Sequence, residues 1–171
     1  MTDVVSIIVP CYNAEAFIAE TIATVLNQSY KHWELIIVDD CSTDSSRDII
    51  RSFLEKDERI TLIELNVNSG RPAVPRNIGC AVANGNYIAF LDADDLWHRQ
   101  KLELQLNFMK NNNAAFSCTE FERFNTLDEV KELANTTYTE AHLKGYITHW
   151  RLIQKNIINN SKVMLEKKLM D

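Results

Sequence analysis

No apolar run in this chain approaches membrane-spanning length, so no transmembrane helix is expected. No basic stretch offsets the formal net charge of −6, which argues against a nucleic-acid phosphate binder. The four cysteines, Cys11, Cys41, Cys80 and Cys118, form no C-x-x-C pair. That pattern fits reduced thiols in a cytoplasmic protein, not a disulfide framework or a zinc site. The histidines are scattered without metal-ligand spacing. There is no internal repeat, low-complexity tract or linker, and Met1-Thr2-Asp3 runs straight into a strand-like segment, so no secretory leader is expected. What remains is 171 residues, 46% hydrophobic and 25% charged, which suits one soluble globular domain with a sizeable core.

The order of elements is readable from periodicity. Val4 to Val9 is a β-branched run ended by Pro10, a buried first strand. After Cys11-Tyr12-Asn13, the spacing of Ile18, Ile22, Val25 and Leu26 predicts a helix ended by Gln28-Ser29-Tyr30. Trp33 to Val38 is a second strand finishing in Asp39-Asp40. Cys41-Ser42-Thr43-Asp44 offers hydroxyls and an acid to cap the next helix, whose stripe is Ile49, Ile50, Phe53 and Leu54. A third strand, Ile60 to Leu65, leads into a polar loop from Asn66 to Pro75. Pro72 or Pro75 suits the first turn of a helix with stripe Val74, Ile78, Ala81 and Val82. Tyr87 to Leu91 is a fourth strand, and Lys101 to Met109 a helix with Leu102, Leu106 and Met109 inward. Asn111-Asn112-Asn113 breaks that helix, and Ala114 to Phe124 reads as a strand. Beyond Asn125 the pattern weakens: an acidic loop or short helix at Leu127–Ala134, a helix at Gly145–Lys155, and a late strand at Ile157–Leu165 interrupted by Asn159-Asn160-Ser161. Four strand–helix alternations with short connections predict a Rossmann-like α/β layer, a mostly parallel sheet flanked by helices.

In such a sheet Tyr12, Asp39-Asp40, the Ser69-Gly70-Arg71 loop and Asp92 to Asp95 all follow strands and gather at one edge, where ligands bind. Three carboxylates within four positions repel each other unless a cation or donors hold them. Asp94, with Asp92 or Asp95 beside it, offers hard oxygens suited to Mn2+ or Mg2+, which keep waters and complete their shells with substrate phosphates. Arg71 and Arg76 could reach phosphate oxygens, Tyr12 could stack on a base, and Asp40 could accept from a base N–H. Taken singly, each feature has a plainer reading: a helix-capping turn for Asp39 to Asp44, rim packing for Tyr12, surface cations for the arginines, core filler for Cys11 and Cys80, packing for Trp33 and Trp97. Their shared edge favours a nucleoside diphosphate bound through a metal.

The strings VSIIVPCYNAEAFIAETIATVLNQSY, WELIIVDDCSTDSS and GRPAVPRNIGCAVANGNYIAFLDADDLW resemble the N-terminal half of family 2 glycosyltransferases of the GT-A fold, from Val5 to Met109. The resemblance implies a single three-layer α/β/α GT-A domain over 1–171, with a nucleotide-sugar-binding half at 1–110 and the start of an acceptor half at 111–171. It places Pro10, Tyr12 and Asp40 around the base, Asn13 among the nucleotide-binding residues, and Arg71 or Arg76 near base or diphosphate. Asp92-Ala93-Asp94 becomes the D-x-D motif, with Asp94 on the metal, Asp92 on ribose or a metal-bound water, and Asp95 supporting the turn. It implies an inverting transfer from a UDP-sugar to a glycan or lipid-linked acceptor hydroxyl in surface-polysaccharide assembly. The setting would be the cytoplasm, with peripheral association at the inner face of the membrane. The family's general base, an acid often in a Glu-Asp pair, has no evident match before Asp171. Glu120, Glu122, Glu166 and Asp171 are the remaining acids, none in suitable surroundings, and the base is expected beyond the chain's last residue.

Three other readings compete with this one. A phosphoacceptor receiver domain would place its acid pair after the first strand and a lysine at a later strand end. A haloacid-dehalogenase-type phosphatase would carry its D-x-D near the chain start. A non-catalytic nucleotide-binding module would keep the donor site and never turn over.

Overall fold

A computed structural model describes residues 3–119 and 160–170 of the chain. The predicted regions at 127–134 and 145–155, the continuation of the fifth strand to Phe124, and Glu120, Glu122, Ile157 and Asp171 lie outside the described residues. Six strands, β1 (Val5–Cys11), β2 (Trp33–Asp39), β3 (Ile60–Glu64), β4 (Tyr87–Phe90), β5 (Phe116–Cys118) and β6 (Val163–Glu166), form one sheet in the order β3-β2-β1-β4-β6-β5. Strands β1 to β4 are mutually parallel, whereas β6 runs antiparallel to both β4 and β5.

Helices α1 (Ile18–Leu26), α2 (Ser46–Leu54) and α4 (Lys101–Asn111) cover one face and α3 (Ala73–Val82) the other. The β period of two explains the division. Val5, Ile7 and Val9 point into the larger core with Ile18, Ile22, Ile50 and Leu106, while Ile8 points into the α3 side with Ile36, Val38 and Cys80. The inward set expected of α4, Leu102, Leu106 and Met109, is fully buried.

Pro10 does not end β1 but lies within it, paired in register with Val38. Ile8 gives its carbonyl to Leu91 on the β4 side, so by alternation Pro10 faces that side too, beyond the last β4 partner at Ile8↔Phe90. Its missing N–H therefore breaks no ladder bond.

The stripe expected for α3 is displaced. Val74 and Val82 face solvent, and the buried positions are Pro75, Gly79 and Cys80. Small residues line the packed face because the helix approaches the sheet closely: a Cβ on Gly79 would sit 2.6 Å from Ile8 Cγ2. The interruption expected in the late strand is a 3₁₀ turn at Asn160–Lys162, after which β6 runs.

Candidate functional site

The loops after β1, β2, β3 and β4 meet at the C-terminal edge of the parallel strands around a cleft of about 530 Å³. Nine residues singled out in the sequence line it, Pro10, Tyr12, Asn13, Asp40, Arg71, Arg76, Asp92, Ala93 and Asp94, whereas Asp95, the other carboxylate offered for the metal, does not.

One wall is tied by side chain to backbone bonds between the first two loops. Asn13 has φ 47°, and its N–H donates to Ser42 Oγ (2.9 Å) while its Oδ1 accepts from Thr43 N–H (2.8 Å). Asp44 accepts from the N–H groups of Glu15 and Ser46, both at 3.0 Å. The hydroxyl-rich turn thus cross-links two loops as well as opening α2, more than the cap read from sequence. Beneath it, the fully buried Asp39 pairs with Arg47 Nε at 2.6 Å and accepts from Ser42 N–H at 3.0 Å. Burial, with the charge of Asp39 close by, pushes the Cys11 thiol up to about 12, so it is an inert filler at neutral pH.

Asp40 is 5% exposed and holds the next loop. Its two carboxylate oxygens accept from Ser69 N–H and Ser69 Oγ, both at 2.8 Å, and its carbonyl accepts from Asn68 Nδ2 at 3.0 Å. Each carboxylate oxygen retains capacity for a second donor. Gly70 completes this turn at φ 67°, a backbone shape that favours glycine. Arg71 follows, exposed and without an ion pair among the described residues. Tyr12 (52% exposed) and Phe17 (53%) present aromatic faces at the cleft. Phe17 was not among the candidates named from the sequence.

The acid turn is braced from three directions. Thr21 Oγ1 donates to the Ala93 carbonyl (2.9 Å), Asp92 N–H donates to Ser161 Oγ (2.9 Å), and Asp95 N–H closes the turn on the Asp92 carbonyl (3.1 Å). Trp97 Nε1 donates to the Ser161 carbonyl at 2.8 Å. Arg76 Nη2 pairs with Asp92 Oδ1 at 2.5 Å. Burial pushes the Asp95 carboxyl up from its ordinary value, and the charges of Asp94 and Asp92 add to this against a hydrogen bond from Ser161. Asp94 is exposed and makes no hydrogen bond or ion pair among the described residues.

The donor set decides what cation could sit here. Among the described residues no group of three acidic, cysteine or histidine ligands forms a closed metal site. One free carboxylate at Asp94, with part of Asp92, suits a hard divalent ion that takes its other ligands from water and phosphate. Glu166, one of the acids considered as a base, is in register with Tyr87 at the start of β4, on the opposite edge of the sheet from the cleft. It is therefore removed from the reacting groups.

The chain matches the family described as "Glycosyl transferase family 2" over residues 6–167. It belongs to that family. This chain is 53% identical over 115 residues to "Putative teichuronic acid biosynthesis glycosyltransferase TuaG" of Bacillus subtilis, covering 67% of this chain and 45% of that protein. It is 43% identical over 121 residues to "UDP-Glc:alpha-D-GlcNAc-diphosphoundecaprenol beta-1,3-glucosyltransferase WfgD" of Escherichia coli, covering 71% and 47%. The chain thus spans less than half the length of these two relatives. Its fold is that of S. aureus TarS, solved with UDP, at TM-score 0.77 and 24% identity over 97% of this chain and 47% of that one. A second solved structure, mannosyltransferase PcManGT from Pyrobaculum calidifontis with GDP-Man and Mn2+, aligns at TM-score 0.62 and 28% identity over 68% and 35%.

A buried lysine, Lys101, packs against Trp97 after the acid turn. Lys101 Nζ stacks 3.7 Å from the Trp97 ring centroid and has no hydrogen-bond partner. Burial pushes its pKa well below the ordinary lysine range, an effect the ring face offsets only in part. A base with a depressed folded-state pKa contributes stability that is present above the unfolded pKa, about 10.4, and is lost as pH falls through the folded value. Lys101→Met is therefore expected to raise stability at pH 7 by about 1 kcal/mol, and the gain should shrink toward pH 10. Urea melts of both proteins across that range check it. Buried thiols and tyrosines titrating above pH 8 are common to the two proteins and cancel in the difference.

Proposed function

We propose that this chain carries the donor site of an inverting glycosyltransferase that uses a UDP-sugar with Mn2+ or Mg2+. The observation that carries the reading is one cleft in which an acceptor (Asp40), an exposed ring (Tyr12) and, unpaired among the described residues, a cation (Arg71) and a carboxylate (Asp94) converge. Tyr12 stacks on the base and Asp40 uses its spare lone pairs for a base N–H. Arg71 approaches the diphosphate, and Asp94 with Asp92 holds the cation. When bound, the cation neutralises charge that develops on the departing diphosphate. The UDP-Glc in the name of the Escherichia coli relative and the Mn2+ of the PcManGT complex support the donor and metal classes.

The product class is a glycan of surface-polysaccharide assembly, built on a glycan or lipid-linked acceptor. Support comes from the names of the two relatives, one placed in teichuronic acid biosynthesis and one acting on a diphosphoundecaprenol-linked sugar. The acceptor hydroxyl requires a general base. Besides Asp40, Asp92 and Asp94, no carboxylate of the described residues lines the cleft, so the reading assigns the base to none of them.

Calorimetric titration of UDP, GDP and dTDP, each with and without Mn2+, tests the donor site. The expected result is binding of UDP in preference to the others and only with the cation. A folded chain that binds none of the three would remove the donor reading.

A further inference from the structure

We propose that Arg76 is a positioning residue that acts on the donor through Asp92, not by touching phosphate or base itself. The inference rests on the donor reading above. From the sequence, Arg76 and Arg71 are interchangeable candidates for a phosphate contact. The structure separates them.

Arg76 Nη2 lies 2.5 Å from Asp92 Oδ1, and the two side chains are 15% and 27% exposed. With the Asn160 amide turned so that its oxygen faces the guanidinium, that oxygen accepts from Nη2 at 3.0 Å and Nη1 at 3.2 Å. Nε is buried without a partner. A bidentate grip on phosphate needs two parallel N–H groups, and here the fork already faces Asp92 and Asn160. Arg71, exposed and unpaired among the described residues, keeps its fork available.

Asp92 is held at two points. Its N–H donates to Ser161 Oγ at 2.9 Å, and Arg76 fixes Oδ1. Oδ2 accepts no hydrogen bond among the described residues, so one oxygen of a fixed carboxylate is left for a ligand hydroxyl or a metal-bound water. The ion pair also offsets one of three crowded charges, and Asp94 remains the carboxylate without a counter-ion. Both supports are stiff: Gly79 sets α3 against β1 one turn after Arg76, and Ser161 leads directly into β6, which pairs with β4.

A double-mutant cycle on UDP affinity in saturating Mn2+ decides the matter. Arg76→Ala and Asp92→Asn are each expected to weaken binding about tenfold, and the double variant to be no weaker than Asp92→Asn alone. Arg76→Lys, which keeps the charge without the fork, should recover part of the loss. A merely structural arginine would lower the melting temperature without this coupling in affinity. The inference is overturned if Arg76→Ala costs a further about tenfold in the Asp92→Asn background, as a direct phosphate contact would. Wild-type affinity in Arg76→Ala overturns it equally. Should Arg76→Ala melt below the assay temperature, the cycle is run with Arg76→Lys and read in the same way. A wild-type chain that binds neither UDP nor GDP overturns the donor reading instead, a result distinct from a binding wild type indifferent to Arg76.

Discussion

Asp94→Ala is expected to remove manganese-dependent UDP binding, a loss of about a hundredfold or more, and to leave the melting temperature where it was. Removing groups that merely orient metal ligands costs about 10–100-fold, and Asp94 is proposed as the ligand itself. It is also the acid of its turn with no internal work to do. Asp92 is paired to Arg76, and Asp95 is half-buried against Ser161. Asp94 faces solvent without a partner among the described residues. Loss of one of three crowded negative charges relieves repulsion, so no destabilisation is expected. Titration of UDP into the variant with and without Mn2+, beside a thermal melt, reads both halves of the expectation. Manganese-dependent binding that survives the substitution would assign the cation to other ligands.

Gly79→Val should lower the melting temperature by about 5–10 °C, from a cost of about 2–3 kcal/mol. A Cβ at this position would lie 2.6 Å from Ile8 Cγ2 and 3.4 Å from Val38 Cγ2. Ile8 is fully buried, so it cannot swing away, and α3 must lift from the sheet. The same helix carries Pro75 and Arg76 to the cleft. A displacement of about 1 Å is enough to stretch the Arg76–Asp92 pair beyond useful geometry, and misplacements of that size cost catalytic sites dearly. UDP affinity should therefore fall together with stability, at a position that touches no ligand. A variant that melts with the wild type would show that α3 does not approach β1 this closely.

The first four strands and four helices were readable because each buries a face with its own period. β1, for example, alternates Val5, Ile7 and Val9 toward one core and Ile8 toward the other. Asp40 and Asp94 were readable as acids at strand ends, because parallel topology turns sequence position into location at one edge. What escaped is what depends on partners far along the chain. Ser161, which supports the Asp92 turn, comes 69 residues after it, in a stretch whose three polar residues read as a break in a strand. The Arg76–Asp92 pair spans 16 positions across α3 and β4. The stripe of α3 was misplaced because hydrophobic periodicity favours large residues, whereas this helix packs through Gly79 and Cys80. Gln28 is another such case. It looked like a helix end, yet it is fully buried and joins the His98 carbonyl (2.9 Å) to the Leu102 N–H (3.1 Å).

The antiparallel placement of β6 between β4 and β5 has a consequence for how the molecule is made. Chain order delivers β4 and β5 well before β6, so a nascent chain that has emerged through Cys118 still lacks the strand that separates them. Until Val163–Glu166 arrives, β4 has its backbone groups unpaired on one side, next to the wholly apolar Ile88 and Ala89. An edge of that kind is a template for pairing with another chain. Among the described residues, the strand that comes last in chain order is thus an interior one, and with it comes Ser161 to the acid turn. Closure of this sheet and support of Asp92 therefore depend on one segment, Ser161–Glu166, through contacts of long sequence separation.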